Sequence, residues 1–334
     1  MNIRKIAKIC KVSPSTVSRV INNPELVASA TKNKILSTIN DKKYCARKYS
    51  KKSEKKIIYF IFSIEDYNFY EGLYQGLDSV FGTRNINTVL SPLMHNDKRL
   101  SEQIDAICNS KCDGVIWAVR DLHIEELEKL INKNIPIVLS RKYKNAPTIL
   151  PDCYTDFTYA SSKMTQFLIN NNHKVIYQLV EKVSYQFVSS FCGGFKNVCL
   201  SNSLKYNDDW IINTENSADG GYITAKKLLS TNKKPDALFC ASNEMAYGAI
   251  KAAKDLKLNI PNDISIVGFT DSKIAKLCDP PLTTIDQSIE ELGILSAQTL
   301  LQLIETPNET ALRGQKITLQ PKLCIRKSCK IINE

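Results

Sequence analysis

Between Val12 and Asn22 the chain reads Val-Ser-Pro-Ser-Thr-Val-Ser-Arg-Val-Ile-Asn. Ser13, Ser15, Thr16 and Ser18 supply hydroxyls, Arg19 a guanidinium and Asn22 an amide, with Lys11 just ahead of them. Hydroxyls bond to bases or phosphates, and a guanidinium matches the paired acceptors of a guanine edge. Taken singly, each of these groups equally suits a phosphate contact, which positions a protein without specifying sequence. Arg19 is the residue best suited to reading a base. The surrounding charge fits such a target. Residues 1–56 hold fifteen Lys/Arg against Glu25, Asp41 and Glu54, a surplus of +12 in a chain of net +11. The whole basic excess therefore lies in the first sixth of the chain, as for a polyanion-binding module joined to a neutral body.

Short helices must position these groups. Ile3, Ile6, Ala7 and Cys10 recur at helical spacing. Lys11-Val12 is the turn, Ser13 an N-cap candidate and Pro14 a first helical residue, where its missing N–H costs nothing. Val17, Val20 and Ile21 give the second helix its apolar stripe, and Asn22-Asn23-Pro24 ends it. A third helix is expected from about Ala28 to Lys43, with Ile35, Leu36 and Ile39 inward. Two short helices, a tight turn and a supporting helix make a helix-turn-helix, whose second helix meets the major groove with its first residues.

The run from Val12 to Asn22 resembles the recognition-helix signature of the lactose-repressor/galactose-repressor family. Ile3 and Ala7 before it, and Val27, Thr31 and Ile35 after it, are similar to that family's first and third helices. Lys11 departs from the pattern, where the family has glycine. The resemblance implies a hinge after the third helix that wedges an apolar side chain into the minor groove. Here Ala46-Arg47 is retained, the Pro-Asn pair is missing and Tyr49 stands where leucine is usual. A basic tether that follows the phosphates, with Arg47 and Tyr49 on it, is the simpler expectation.

From Lys56 the sequence alternates strands and helices. Strands are expected at 57–62, 88–91, 114–118 and 137–139, then at 175–179, 211–213, 237–240 and 265–268. Helices fall between them, including 69–82, 100–110 and 125–133. Such alternation implies parallel sheets with right-handed crossovers, and ligands at the carboxyl ends of the strands. The resemblance extends through Cys112–Ile116, Ile135–Leu139, Lys234–Asn243, Met245–Ala249, Ile260–Phe269 and Pro280–Ile285. The fold expected is an all-α helix-turn-helix head plus an α/β body of two parallel-sheet, periplasmic-binding-protein-like subdomains. Residues 1–44 form the head, 45–56 the linker and 57–334 the body. Subdomain one takes 57–158 plus 288–316, and subdomain two takes 159–287 plus 317–330. A homodimer on a pseudo-palindromic double-stranded operator is implied by the family.

The resemblance places the effector site at Phe69, Tyr70, Asp156, Phe191, Asn216, Ser242, Asn243 and Thr270. Phe69 and Tyr70 could stack a ring or simply pack in the core. Asp156 lies seventeen residues ahead of His173. Phe191 and Thr270 stand where the family carries an arginine and an aspartate, so its two charged anchors are missing. Three readings stay open: an aromatic or less polar effector, a sugar held by neutral groups, or a degenerate pocket with activity set by a protein partner or unregulated.

No P-loop, nucleophile elbow or dinucleotide fingerprint is present, which argues against an enzyme. Eleven scattered cysteines and three histidines suggest reduced, buried thiols rather than a metal site, and no cofactor is expected. Without a membrane span or an apolar leader, a cytoplasmic regulator, repressing by family habit, is favoured over a secreted solute-binding protein.

Overall fold

The computed structural model describes residues 3–22, 27–41, 55–64, 67–94, 99–182, 186–231, 234–307 and 312–332. The chain divides into two compact units, Met1–Lys55 and Lys56–Glu334. The first holds α1 (Ile3–Cys10), α2 (Pro14–Asn22) and α3 (Ser29–Asp41). Ile6, Ala7 and Cys10 of α1, Val17 and Val20 of α2 and Ile35 of α3 close a small core, with Val12 and Val27 at its edge. Leu36, expected inward, is exposed. One step along a helix turns a side chain about 100°, so Leu36 cannot share the narrow seam that Ile35 fills.

The turn between α1 and α2 is tight. Lys11 has φ 55°, and the Val12 N–H donates to the Ala7 carbonyl at 3.0 Å. A left-handed backbone crowds any Cβ, which is why glycine is favoured there. The lysine holds it because the α1–α2 core fixes both sides of the turn.

The second unit begins with β1 (Lys56–Ser63), α4 (Tyr67–Phe81), β2 (Ile86–Leu93), α5 (Leu100–Asn109), β3 (Gly114–Ala118), α6 (Ile124–Asn132), β4 (Ile137–Leu139) and β5 (Asp152–Thr155). It continues with α7 (Phe157–Asn170), β6 (Ile176–Glu181), α8 (Gln186–Ser201), β7 (Ile211–Thr214), α9 (Ala218–Leu229), β8 (Ala237–Cys240), α10 (Asn243–Asp255), β9 (Ser265–Val267) and α11 (Lys273–Leu277). Then come β10 (Thr284–Asp286), α12 (Ile289–Glu305), β11 (Lys316–Leu319) and β12 (Lys322–Cys324).

The strands form a six-stranded sheet in the order β11-β5-β4-β3-β1-β2 and a four-stranded sheet in the order β7-β6-β8-β9. Every pairing within these two sheets is parallel. Each sheet is covered on both faces, the first by the cores around Phe60 and Trp117, the second by those around Phe239 and Met245. That is why β3, β4 and β8 read as unbroken apolar runs.

The chain passes between the halves three times: at Asp156, beyond Asp286, and between Leu319 and Lys322. The last crossing lies beyond the expected 316/317, because β11 first completes the edge of the first sheet against β5. The crossings are tied together. Thr155 Oγ1 donates to the Gln287 carbonyl at 2.8 Å, and β10 pairs antiparallel with β12.

In both halves helix pairs meet backbone to backbone. A Cβ on Gly293 of α12 would fall 2.2 Å from the Leu73 carbonyl of α4, and one on Gly248 of α10 would fall 1.9 Å from the Ala218 carbonyl of α9. The carboxy-terminal segment docks on the second half through His173. Its Nδ1–H donates to the Leu168 carbonyl at 2.8 Å, and its Nε2, 2.8 Å from Ser265 Oγ, accepts that hydroxyl's proton. The same Ser265 oxygen accepts the Lys330 N–H at 2.9 Å. Among the described residues ten cysteines are free thiols, and burial pushes Cys112, Cys153 and Cys192 up to about 11.

Two expectations follow. Gly248→Ala should destabilise the body by about 3 kcal/mol in denaturant unfolding, because a rigid carbonyl, not a flexible side chain, blocks the methyl. Burial holds the His173 pKa below its ordinary 6.5, opposed by its bond to Leu168. The unfolded chain therefore takes up the proton first, and stability falls as pH drops below about 6.5, levelling once the folded site is protonated. Thermal melts from pH 7.5 to 5 should show this slope, and His173→Gln should remove it.

Candidate functional site

On α2 the side chains sort by depth. Val17 and Val20 are buried, Thr16 is half-buried, and Lys11, Ser13, Pro14, Ser15 and Arg19 are exposed. Ser13 Oγ accepts the Thr16 N–H at 3.1 Å, capping the helix, and lies 2.7 Å from Ser15 Oγ and 2.8 Å from Thr16 Oγ1. A helix N-terminus lined with hydroxyls suits phosphate, since its free N–H groups and dipole favour an anion. Arg19 stands clear of this cluster, its cation outward from a helix whose other face is buried. Ser18 and Asn22 fall on the same helix. Arg47 and Tyr49 lie outside the described residues.

In the body, the charged groups gather where the parallel strands end. Arg120 follows β3, Arg141 follows β4 by two residues, Asp156 follows β5 and Glu181 ends β6. Arg120 and Arg141 are each only 9% exposed. The Arg120 N–H donates to Ser63 Oγ at 2.9 Å, at the end of β1. Tyr70 donates its hydroxyl to the Ala118 carbonyl at 2.6 Å, and Tyr143 donates to the Val119 carbonyl at 2.5 Å. These two hydroxyls brace the strand end that presents Arg120. Burial lifts the Tyr143 pKa well above its ordinary value, against the pull of nearby Arg141, so its proton stays in place.

The Arg141 guanidinium lies 4.4 Å over the Phe69 ring and 5.3 Å from that of Tyr70, a cation–π stack. Arg120 reaches across to the other half, with Nη1 3.7 Å from Glu181 Oε2. Both arginines, with Lys142, Thr155, Asp156, Phe157, Phe187 and Ser190, line a void of about 20 Å³, room for roughly one water molecule. The cleft at this point is thus closed by its own side chains. A wider opening of about 570 Å³ lies between α4 and the segments after β9 and β10, lined by Gln75, Thr270 and Gln287 among others. Lys273 of α11 bridges it to Glu71 of α4 at 3.6 Å. Burial raises the Asp271 pKa, but Arg326, Lys276 and Thr284 outweigh it and hold the carboxyl below the usual range.

The residues expected at the effector site divide. Phe69 and Asp156 border the arginine cavity, Phe69 under Arg141 and Asp156 as the cap of α7, accepting the Tyr159 N–H at 3.0 Å. Thr270 lines the wider opening. Tyr70 is 2% exposed and spent on the Ala118 carbonyl, so it is a brace and not a stacking surface. Phe191 is fully buried among aromatic rings, 4.6 Å from Phe269 and 4.7 Å from Phe239, and presents nothing to a ligand. Asn243 is buried and donates to the Thr270 carbonyl at 2.6 Å and Ser272 Oγ at 2.8 Å. Ser242 caps α10 through the Met245 N–H, and Asn216 is exposed beyond β7. Charge that the sequence reading did not assign to this site stands at Arg120 and Arg141. Their signal was available in the sequence: each stands just past the apolar run of a parallel strand.

A helix-turn-helix unit followed along the chain by a two-lobed body of parallel sheets defines a DNA-binding transcriptional regulator. Residues 2–46 match the bacterial regulatory proteins of the lacI family, and residues 165–329 match the periplasmic binding protein-like domain. The chain thus carries a lacI-family domain at 2–46 and a periplasmic binding protein-like domain at 165–329. It is 27% identical to the ribose operon repressor of Haemophilus influenzae over 98% of both chains, and 27% identical to catabolite control protein A of Priestia megaterium over 99% of both. The lac repressor dimer bound to operator and the anti-inducer ONPF shares its fold, with a TM-score of 0.74 and 20% identity over 99% of each chain.

The strained turn makes one prediction. Lys11→Gly should relieve the left-handed backbone and stabilise the head by about 1 kcal/mol. Amide hydrogen exchange in α1 and α2 of the full chain should then slow by about fivefold.

Proposed function

We propose that this chain is a cytoplasmic repressor that reads a pseudo-palindromic operator as a homodimer and is switched by a small molecule in the cleft of its body. The observation that carries the DNA-binding half is the division of α2: Val17 and Val20 are sealed into the core while Ser15 and Arg19 are left outward. Residues 1–44 are the reading head. Residues 45–56 are a basic tether, with Arg47 and Tyr49 adding operator contacts. The remainder is the effector and dimerisation body. The relatives named as repressors, and the structural neighbour seen as a dimer on its operator, support this reading.

The effector half is supported by the arrangement of charge at the strand ends. Arg120 and Glu181 belong to opposite halves, as do Lys273 and Glu71, so both ion pairs exist only when the halves are close. A ligand that prefers one separation of the halves shifts the population toward it, and can change operator affinity only by that preference. Binding alone suffices for this role, and we infer no reaction catalysed by the chain. Its cytoplasmic placement is consistent with the described residues, in which no helix is long and apolar enough to cross a membrane.

Selection of bound duplexes from a random pool should return a pseudo-palindrome. Arg19→Ala should weaken binding to it by about 1–3 kcal/mol and relax the sequence preference at one position of each half-site. A variant that binds the selected and scrambled duplexes in the same ratio as the parent would remove Arg19 from base reading.

A further inference from the structure

The second crossing between the halves carries a residue bonded to both of them, and the inference drawn from it rests on the reading above, in which the halves move and operator affinity follows. Gln287 stands between β10 and α12 and is 5% exposed. Its backbone carbonyl accepts the Thr155 hydroxyl at 2.8 Å, and Thr155 ends β5 of the first sheet. Its side-chain Nε2 donates to the Phe269 carbonyl at 2.6 Å and to Thr270 Oγ1 at 3.1 Å, just past β9 of the second sheet. The second-half end of this link is itself fixed. Asn243 of α10 donates to the Thr270 carbonyl at 2.6 Å and to Ser272 Oγ at 2.8 Å. The next residue along the crossing, Ser288, has φ 50° and ψ 45°, a left-handed backbone on a residue with a Cβ. Its N–H donates to Asp286 Oδ1 at 2.8 Å. Such a backbone persists only where its surroundings hold it. Thr270, Gln287 and Ser288 all line the opening of about 570 Å³, so a ligand there meets this link directly.

We propose that the Gln287 side chain is the latch that sets the resting angle between the two halves, a positioning residue whose release lets them rotate. The Thr155 bond uses the Gln287 backbone and ties one crossing to another. The side-chain bonds differ, because they tie the crossing to the end of β9 and through it to the second half. Phe269 is fully buried, and a buried carbonyl that loses its donor is costly, so amide and carbonyl hold together while the latch is shut. Rotation has to break the bonds of this one amide. Once they break, the left-handed turn at Ser288 is free to relax.

Gln287→Met keeps the length of the side chain and removes both donated bonds. In the full-length variant at pH 7.5, amide hydrogen exchange over 153–157, 267–272 and 284–289 should speed by about tenfold. Exchange inside β3 and β8 should stay within about twofold of the parent, which a general loss of stability would not allow. Affinity for the selected pseudo-palindrome should change by at least about fivefold. Gln287→Glu gives a second readout. Its neutral carboxyl donates to the Phe269 carbonyl, whereas its ionised form has no proton to give. Measured against the parent at the same pH, this variant should match it at pH 5 and approach Gln287→Met at pH 8. Burial and the carboxyls of Asp271, Asp286 and Glu290 around the opening raise the pH of that change, and Lys273 and Lys322 oppose them. Should Gln287→Met fold poorly, Gln287→Glu carries the test alone, with the bond at pH 5 and without it at pH 8. Parental exchange at the crossings in Gln287→Met would overturn the proposal, as would exchange in Gln287→Glu that ignored pH. Faster exchange at the crossings with operator affinity unmoved would leave the latch standing and remove the reading in which the halves control DNA binding. A shift in operator affinity with parental exchange at the crossings would remove the latch and leave that reading standing.

Discussion

Two guanidinium groups removed from water impose the main constraint on this molecule. Taking a cation out of solvent is expensive unless an opposite charge or an electron-rich surface meets it. Arg120 meets Glu181, and Arg141 meets the face of Phe69. Both solutions need residues that are distant in the chain, and the parallel sheets provide them. Strands that all run one way deliver their last residues to one side, so the ends of β3, β4, β5 and β6 share one cleft. The three crossings bring the two sheets to face one another across it.

The head meets a smaller version of the same problem. Among its described residues, six fully or nearly buried side chains form its core. Reading groups therefore occupy the opposite side of α2, and Ser13 ends the helix without using core volume. Lys11 shows what happens when two demands collide. The turn calls for a residue without a Cβ, and the polyanion calls for a cation; the cation stands there, in a left-handed backbone.

Much of this could be read before any coordinates. The three helices of the head, the order of strands and helices in the body and the cap at Ser13 follow from periodicity and from residue types with narrow conformational roles. The ligand side was less legible, because it depends on depth. Phe191 and Tyr70 have the composition of stacking residues, but only packing shows that one is enclosed by Phe239 and Phe269 and the other is bound to a carbonyl. Leu36 differs from Ile35 by one step of a helix and by its whole environment. Positions carried over from the family's pattern pointed to missing charges. Arg120 and Arg141 sit just past parallel strands, where topology rather than alignment draws attention to them. β5, β10, β11 and β12 each carry an aspartate or a lysine among their three or four residues, and so lack the unbroken apolar runs that mark the equally short β4 and β8.

The backbone contacts at Gly293 and Gly248 determine how the body can move. Where carbonyl meets α-carbon there is no layer of side chains to change rotamer and let one helix slide past another. Each lobe is thereby stiff in itself, and shear inside a lobe is blocked. Displacement has to be taken up as rotation about the strands and peptide segments that cross at 155–157, 286–288 and 319–322, which are fastened to each other by Thr155 and by the β10–β12 ladder. The body is in this respect a pair of rigid plates on a three-ply hinge.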